Sequence, residues 1–161
     1  MQETIEAILS EHGYKHYETS AFAKPKSECQ HNLNYWQFGD YLGIGAGAHS
    51  KLTFHDKISR ESRYKNPKQY IEKVNTQNMI ESETNVQEKD LAFEFMMNQL
   101  RLIDGFTIQS FEEKTGLNIS AIDKELKIAT NKKLISIDDE IIKPTLLGQR
   151  FLNDLLSIFL K

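Results

Sequence analysis

Ile5, Ile8 and Leu9 recur at helical spacing behind Thr4, a capping residue type, and Glu11-His12-Gly13 supplies a stop. The pattern predicts a first helix with one buried face. Residues 14–22 are rich in aromatics and close before Pro25, as a strand would. Helix, glycine turn and strand in succession form the rhythm of an α/β unit. Residues 24–40 mix polar and aromatic side chains without a period and read as irregular. The apolar stretch Tyr41-Leu42-Gly43-Ile44-Gly45-Ala46-Gly47-Ala48 has little side-chain bulk, which predicts a strand whose backbone approaches a neighbour closely. Residues 51–54 and 57–64 predict a hairpin around His55-Asp56, and Pro67 suits the first turn of a helix running to Val74.

Residues 76–88 are polar with few apolar anchors and read as a linker. Beyond it the period becomes helical. Residues 91–103 concentrate Phe93, Phe95, Met96, Leu100 and Leu102 before Asp104-Gly105, with Met96 and Met97 read as core. Thr107 opens a short helix that stops at Gly116, and Ser120 is placed to cap the next, with Ile122, Leu126 and Ala129 on one face. Residues 134–137 and 140–143 flank Asp138-Asp139 as a small hairpin would. Pro144 introduces a last helix with Leu146, Leu147, Phe151, Leu152, Leu155, Leu156 and Phe159 facing inward. Helix, helix, hairpin, helix is a winged-helix-like order. No repeat or low-complexity segment is visible.

A hydrophobic fraction of 39% with 27% charged residues fits a globular protein, and 10% aromatics can fill a substantial core. The net charge of −3 argues against a protein devoted to neutralising phosphates. The lone cysteine, Cys29, excludes an intramolecular disulfide and suits a reducing compartment. The first ten residues are acidic with no apolar signal region, and no apolar run approaches the ~20 residues of a membrane helix, so a cytoplasmic protein without a membrane span is expected.

All five histidines and the cysteine lie within the first 55 residues, which places any ligand chemistry there. Cys29-Gln30-His31 is too short and incomplete for a structural zinc site, which needs four ligands with wider pairs. His31 stands beside Asn32, Tyr35 and Trp36, and an imidazole among flat aromatics can hold a flat cofactor such as heme by an axial nitrogen, although spacing does not establish it. The Gly43-Ile44-Gly45-Ala46-Gly47 run lacks the spacing of a dinucleotide fingerprint and the ending of a phosphate loop. A barrel strand end near a ligand and plain close packing both explain it. His49 has no Ser, Cys or carboxylate placed by sequence to complete a triad. Lys124, Lys127, Lys132 and Lys133 invite a nucleic-acid reading of the second half. Asp123, Glu125, Asp138, Asp139 and Glu140 oppose it, and a docking module is favoured.

Three blocks carry a resemblance: Ser20-Ala21-Phe22-Ala23-Lys24-Pro25, then Cys29-Gln30-His31-Asn32-Leu33-Asn34-Tyr35-Trp36, then residues 39–49 through the glycine run to His49. With Phe95-Met96-Met97-Asn98-Gln99-Leu100-Arg101-Leu102 and the ending from Pro144, the chain resembles the oxygen-independent coproporphyrinogen III oxidase family of radical-SAM proteins. Its His-Asn-x-x-Tyr segment is similar to that of the heme-chaperone branch. The resemblance implies heme binding at His31, Asn32 and Tyr35, S-adenosylmethionine contact at Ala23 in the full-length parent, and heme delivery to acceptor hemoproteins. An oxidase-branch parent, decarboxylating coproporphyrinogen III in porphyrin biosynthesis, and a winged-helix adaptor are the alternatives.

The [4Fe–4S] cluster of such proteins needs three cysteines in one segment, and this chain has one. The reading is therefore a carboxy-terminal part: an α/β partial barrel end over 1–75, a linker over 76–88, and a mostly helical winged-helix-like domain over 89–161, α+β overall. No catalysis by the chain alone, no metal site of its own and self-association through unpaired strand edges are expected.

Overall fold

The structure is a computed structural model describing residues 1–160. Among these it holds eight α-helices and eight strands, and every strand pair is antiparallel. The chain divides into two compact units, residues 1–38 with 89–161, and residues 39–88. This grouping sets residues 1–38 with the later residues rather than with 39–75. The first 38 residues pack with the later part of the chain because residues 17–19 are tied to residues 101–103: Thr19 donates its backbone N–H to the Arg101 carbonyl at 2.9 Å, and Ile103 N–H donates to the Tyr17 carbonyl at 3.2 Å.

In the first unit, α1 (Gln2–Glu11) leads through Gly13, at φ +78°, into β1 (Lys15–Glu18). The chain turns at Thr19-Ser20 into β2 (Ala21–Ala23), so residues 14–22 are a hairpin rather than one strand. β1 and β2 pair antiparallel with each other, so this hairpin is not itself a parallel strand–helix unit. Ile5 and Ile8 are exposed, against the expected buried face, and the helix begins at Gln2 rather than behind Thr4.

The second part of this unit follows local signals closely. α4 (Glu88–Gln99) carries Phe95 and Met96 fully buried, whereas Met97 points outward. β6 (Phe106–Thr107) precedes α5 (Ile108–Thr115), which Thr107 caps by accepting the Ser110 N–H at 3.1 Å and Gly116 ends in the left-handed region. Asn118, not Ser120, caps the following 3-10 turn (Ile119–Ile122), which runs into α6 (Asp123–Asn131). β7 (Ile135–Asp138) and β8 (Ile141–Pro144) form the expected hairpin, and β6 adds to β8 to give the order β6-β8-β7. The last helix is broken into α7 (Leu146–Arg150) and α8 (Leu152–Ser157) at Phe151. Gly148 lies so close to the residue preceding β7 that an added Cβ would stand 1.9 Å from the Leu134 carbonyl oxygen. Its face of α7 therefore turns inward, which leaves Leu146, Leu147 and Phe151 exposed while Leu152, Leu155 and Phe159 are buried.

The core of this unit centres on Phe95, which meets Phe38, Phe106 and Phe111 edge-on at 5.6, 5.0 and 5.2 Å. Ile122, Ala129, Ile142 and Leu155 complete it from four further elements.

The second unit is a three-stranded sheet, β3 (His49–Thr53), β4 (Ile58–Arg63) and β5 (Ile80–Asn85), with α3 (Pro67–Asn75) between the last two strands. Asn66 caps α3 ahead of Pro67, accepting from the N–H groups of Lys68 and Gln69. The expected linker 76–88 thus contains an edge strand. β5 is exposed throughout and pairs with β4 alone, so it carries no apolar alternation to betray it.

Buried Lys51 anchors this sheet: its Nζ lies 3.0 Å from Asp40 Oδ1, and Asp40 also accepts from the Thr53 hydroxyl at 2.7 Å and the Thr53 N–H at 2.8 Å. Burial pushes the Asp40 carboxyl up, but the Thr53 hydrogen bonds and the Lys51 ammonium outweigh it and hold the pKa below its ordinary value. A lowered folded-state pKa contributes stability above the ordinary carboxylate value of 3.8, lost as pH falls through the native value. Asp40→Asn should therefore lower the stability of this unit at neutral pH and flatten its acid-side decline. Urea midpoints between pH 7 and pH 3 measure both. An unchanged acid slope would show that Asp40 does not carry the linkage.

Candidate functional site

The segment expected to be irregular around His31 is a helix, α2 (Gln30–Trp36). Cys29 stands at its N-cap in an extended conformation without a side-chain cap bond, and the Leu33 N–H donates to the Cys29 carbonyl at 3.0 Å. On a helix, His31 and Tyr35 lie one turn apart on one face. Their rings meet edge to face, with centroids 4.8 Å apart and planes at 86°. His31 is exposed and Tyr35 half-buried. Asn32 is also half-buried but lies about 100° further round, on the stripe it shares with Trp36. The structure thus brings His31 and Tyr35 together and sets Asn32 beside them on the next stripe.

Ala23 is buried at the end of β2, opposite Lys15. Its methyl group offers no polar atom, so only its backbone could engage a ligand. Cys29 is exposed. Among the described residues no three His, Cys, Asp or Glu side chains are grouped as a metal would require.

The glycine run is a loop rather than a strand. Gly45 and Gly47 adopt φ +103° and +72°, and a Cβ on Gly43 would stand 2.2 Å from the His49 carbonyl oxygen. Arg63 Nε donates to the Gly43 carbonyl at 2.6 Å, and the Gly43 N–H donates to Ser50 Oγ at 3.0 Å. The close approach is to this unit's own β3. His49 is exposed at the start of β3, opposite Ser62 in the ladder.

A polar cluster that sequence reasoning missed lies at the end of α2. The Arg101 guanidinium sits 4.1 Å from the Trp36 ring centroid and 3.4 Å from Glu18 Oε2. Glu18 is 1% exposed, and its other oxygen accepts from the Ser20 hydroxyl at 2.8 Å and the Ser20 N–H at 3.1 Å. Two residues before Glu18 on β1, His16 stacks on Phe22 at 4.3 Å. A single charge between two buried leucines, Leu100-Arg101-Leu102, was the available signal.

Residues 86–151 match the HemN C-terminal domain. Heme chaperone HemW of Haemophilus influenzae is 44% identical over 154 residues, which cover 95% of this chain and 39% of the relative. The Escherichia coli Heme chaperone HemW is 41% identical, with 95% and 40% covered. The chain carries a HemN C-terminal domain and is homologous to these proteins named heme chaperone HemW. It spans about two fifths of the length of these relatives. Coproporphyrinogen III oxidase (HemN) from Escherichia coli, a radical SAM enzyme, has the same fold over 98% of this chain and 39% of its own, with a TM-score of 0.68 at 18% identity. The HemN-type domain begins at Val86, two residues before α4, and ends at Phe151, where α7 gives way to α8. The blocks that carry the likeness around His31 lie outside it. No helix among the described residues is long and apolar enough to cross a membrane.

Proposed function

We propose that this chain carries the heme-holding face of a radical-SAM heme chaperone, with heme as cargo and acceptor hemoproteins as its destination. The observation that carries the reading is the exposed His31 imidazole standing edge-on to Tyr35 on one face of α2. An exposed imidazole would be free to hold heme iron, and the neighbouring phenol ring would offer it a flat apolar surface. Asn32 supplies an amide next to that face. Identity near 40% to proteins named Heme chaperone HemW supports the same reading.

In a full-length parent, Ala23 would lie against S-adenosylmethionine through its backbone. One exposed thiol does not fit a [4Fe–4S] cluster, which takes its ligands from at least three cysteines, so no step of the proposal runs through a cluster in this chain. Residues 89–161 are read as a winged-helix-like docking domain. The nucleic-acid alternative loses ground because Lys127 pairs with Asp123 at 2.6 Å and Lys143 with Asp138 at 3.2 Å.

Optical titration with heme tests the proposal. The chain should give a saturable Soret shift, and His31→Ala should lose it or weaken binding by roughly 10-fold or more, as removal of a metal-site partner does. Identical titrations for the two chains would overturn the assignment of His31. Coproporphyrinogen decarboxylation by the isolated chain would instead support an oxidase reading.

A further inference from the structure

α2 has only seven residues, buries none of them fully and lacks a side-chain N-cap. Helices this short are marginal in water, so tertiary contacts must set its pose. Those contacts gather at its carboxy-terminal end. Trp36 lies under the Arg101 guanidinium at 4.1 Å, and Lys114 of α5 donates to the Gln37 carbonyl, placing a cation at the negative end of the helix. Phe38 then enters the core against Phe95.

Arg101 is itself fixed from two sides. Its carbonyl accepts from Thr19 N–H at 2.9 Å and Thr19 Oγ1 at 3.2 Å, and its guanidinium pairs with buried Glu18. The Trp36 indole N–H and the Arg101 Nε–H are nevertheless buried without hydrogen-bond partners. Burying such donors is costly, and a buried ion pair is weak support for stability. What this arrangement gives is geometry: a flat cation pressed on a flat ring, held by a carboxylate that nothing else displaces.

We propose that Arg101 is a positioning residue that sets the pose of α2, so that heme affinity at His31 is coupled to the carboxy-terminal helical domain through Trp36. The coupling rests on the reading of His31 as the heme ligand; the setting of α2 does not. His31 lies five residues before Trp36, about 7.5 Å along the helix axis, so a tilt at the Trp36 end displaces the imidazole.

Trp36 is the sole tryptophan, so intrinsic fluorescence reads α2 directly without heme. Arg101→Met should shift the emission maximum and raise acrylamide quenching under conditions where circular dichroism reports a folded chain. It should weaken heme binding roughly 10-fold, while the saturated complex keeps the Soret maximum of the unaltered chain because His31 still ligates. Arg101→Lys keeps the charge for Glu18 but not the flat face, and should fall between. It also serves if Arg101→Met does not fold. Leu155→Val, a core change elsewhere in the unit, should lower the melting temperature and leave emission and heme affinity alone.

Unchanged emission in folded Arg101 variants would overturn the positioning role. Changed emission with unchanged heme affinity would overturn the coupling. Equal weakening by Leu155→Val would reduce Arg101 to a stability residue and also overturn it. If the unaltered chain and His31→Ala titrate alike while emission still responds to Arg101, the ligand reading fails and the setting of α2 stands.

Discussion

Phe95→Ala should cost the first unit about 3–5 kcal/mol, the range for truncating a fully buried aromatic. Phe95 has no exposed surface, and its ring meets three others edge-on. Those partners come from different parts of the chain: Phe38 follows α2, Phe106 lies on β6 and Phe111 on α5. Removing the ring leaves a cavity that no single element can close, because its three partners come from separate segments and Phe106 is held in a strand pair with Ile142. Against a total stability of roughly 5–15 kcal/mol for an ordinary domain, such a loss leaves little margin. Urea unfolding followed by Trp36 emission reads the effect near the site, since Trp36 lies two residues from Phe38. Half-buried Phe93, on the same helix, is the comparison, and Phe93→Ala should cost clearly less. Equal midpoints for the two variants would mean that the unit repacks around the missing ring and that Phe95 is not its centre.

How much of this was legible in the sequence depended on whether the signal was local. Thr107 and Gly116 bracket α5 as they stand in the chain, Pro67 opens α3 behind an asparagine cap, and the last hairpin turns at Asp139-Glu140, one residue on from the Asp138-Asp139 pair that marks it in the sequence. Each works through hydrogen bonds or dihedral preferences spanning a few residues. The helix around His31 gave no such signal. Apart from Leu33 its residues are polar or aromatic, which gives no apolar period, and it is held by Arg101, 65 positions beyond Trp36 in the chain. The Glu18–Arg101 pair spans 83 residues and is invisible to any window.

Low side-chain bulk in residues 41–48 suggests a strand, whereas positive φ at Gly45 and Gly47 makes it a loop folded against β3. Polarity in residues 76–88 suggests a linker, whereas an edge strand with both faces exposed has no need of apolar alternation. The candidate site was legible only as far as the family resemblance carried it. The resemblance implies His31, Asn32 and Tyr35, but the helix that puts His31 and Tyr35 on one face, and Asn32 off it, belongs to tertiary structure.

Gly105→Ala should destabilise the first unit more than the same change at Gly116, although both glycines have nearly the same backbone angle, φ +69° and +71°. At Gly116 an added Cβ meets nothing within 4 Å, so only the left-handed conformation is penalised, at about 1–2 kcal/mol. At Gly105 the Cβ would stand 2.1 Å from the Ile142 carbonyl oxygen and 2.7 Å from the Lys143 Cα. Both are backbone atoms of β8 and cannot swing aside as a flexible side chain would. β8 is the middle strand of its sheet, with Ile142 fully buried and paired to Phe106, so moving it opens the core beside Phe95. Overpacking of this kind adds roughly 1–3 kcal/mol to the conformational cost. Asparagine separates the two contributions, because it tolerates the left-handed region yet still carries a Cβ. Gly116→Asn should be close to neutral in urea midpoint, and Gly105→Asn should remain strongly destabilised. If asparagine rescued both positions equally, the approach of Gly105 to β8 would carry no energetic weight, and its φ alone would account for the glycine.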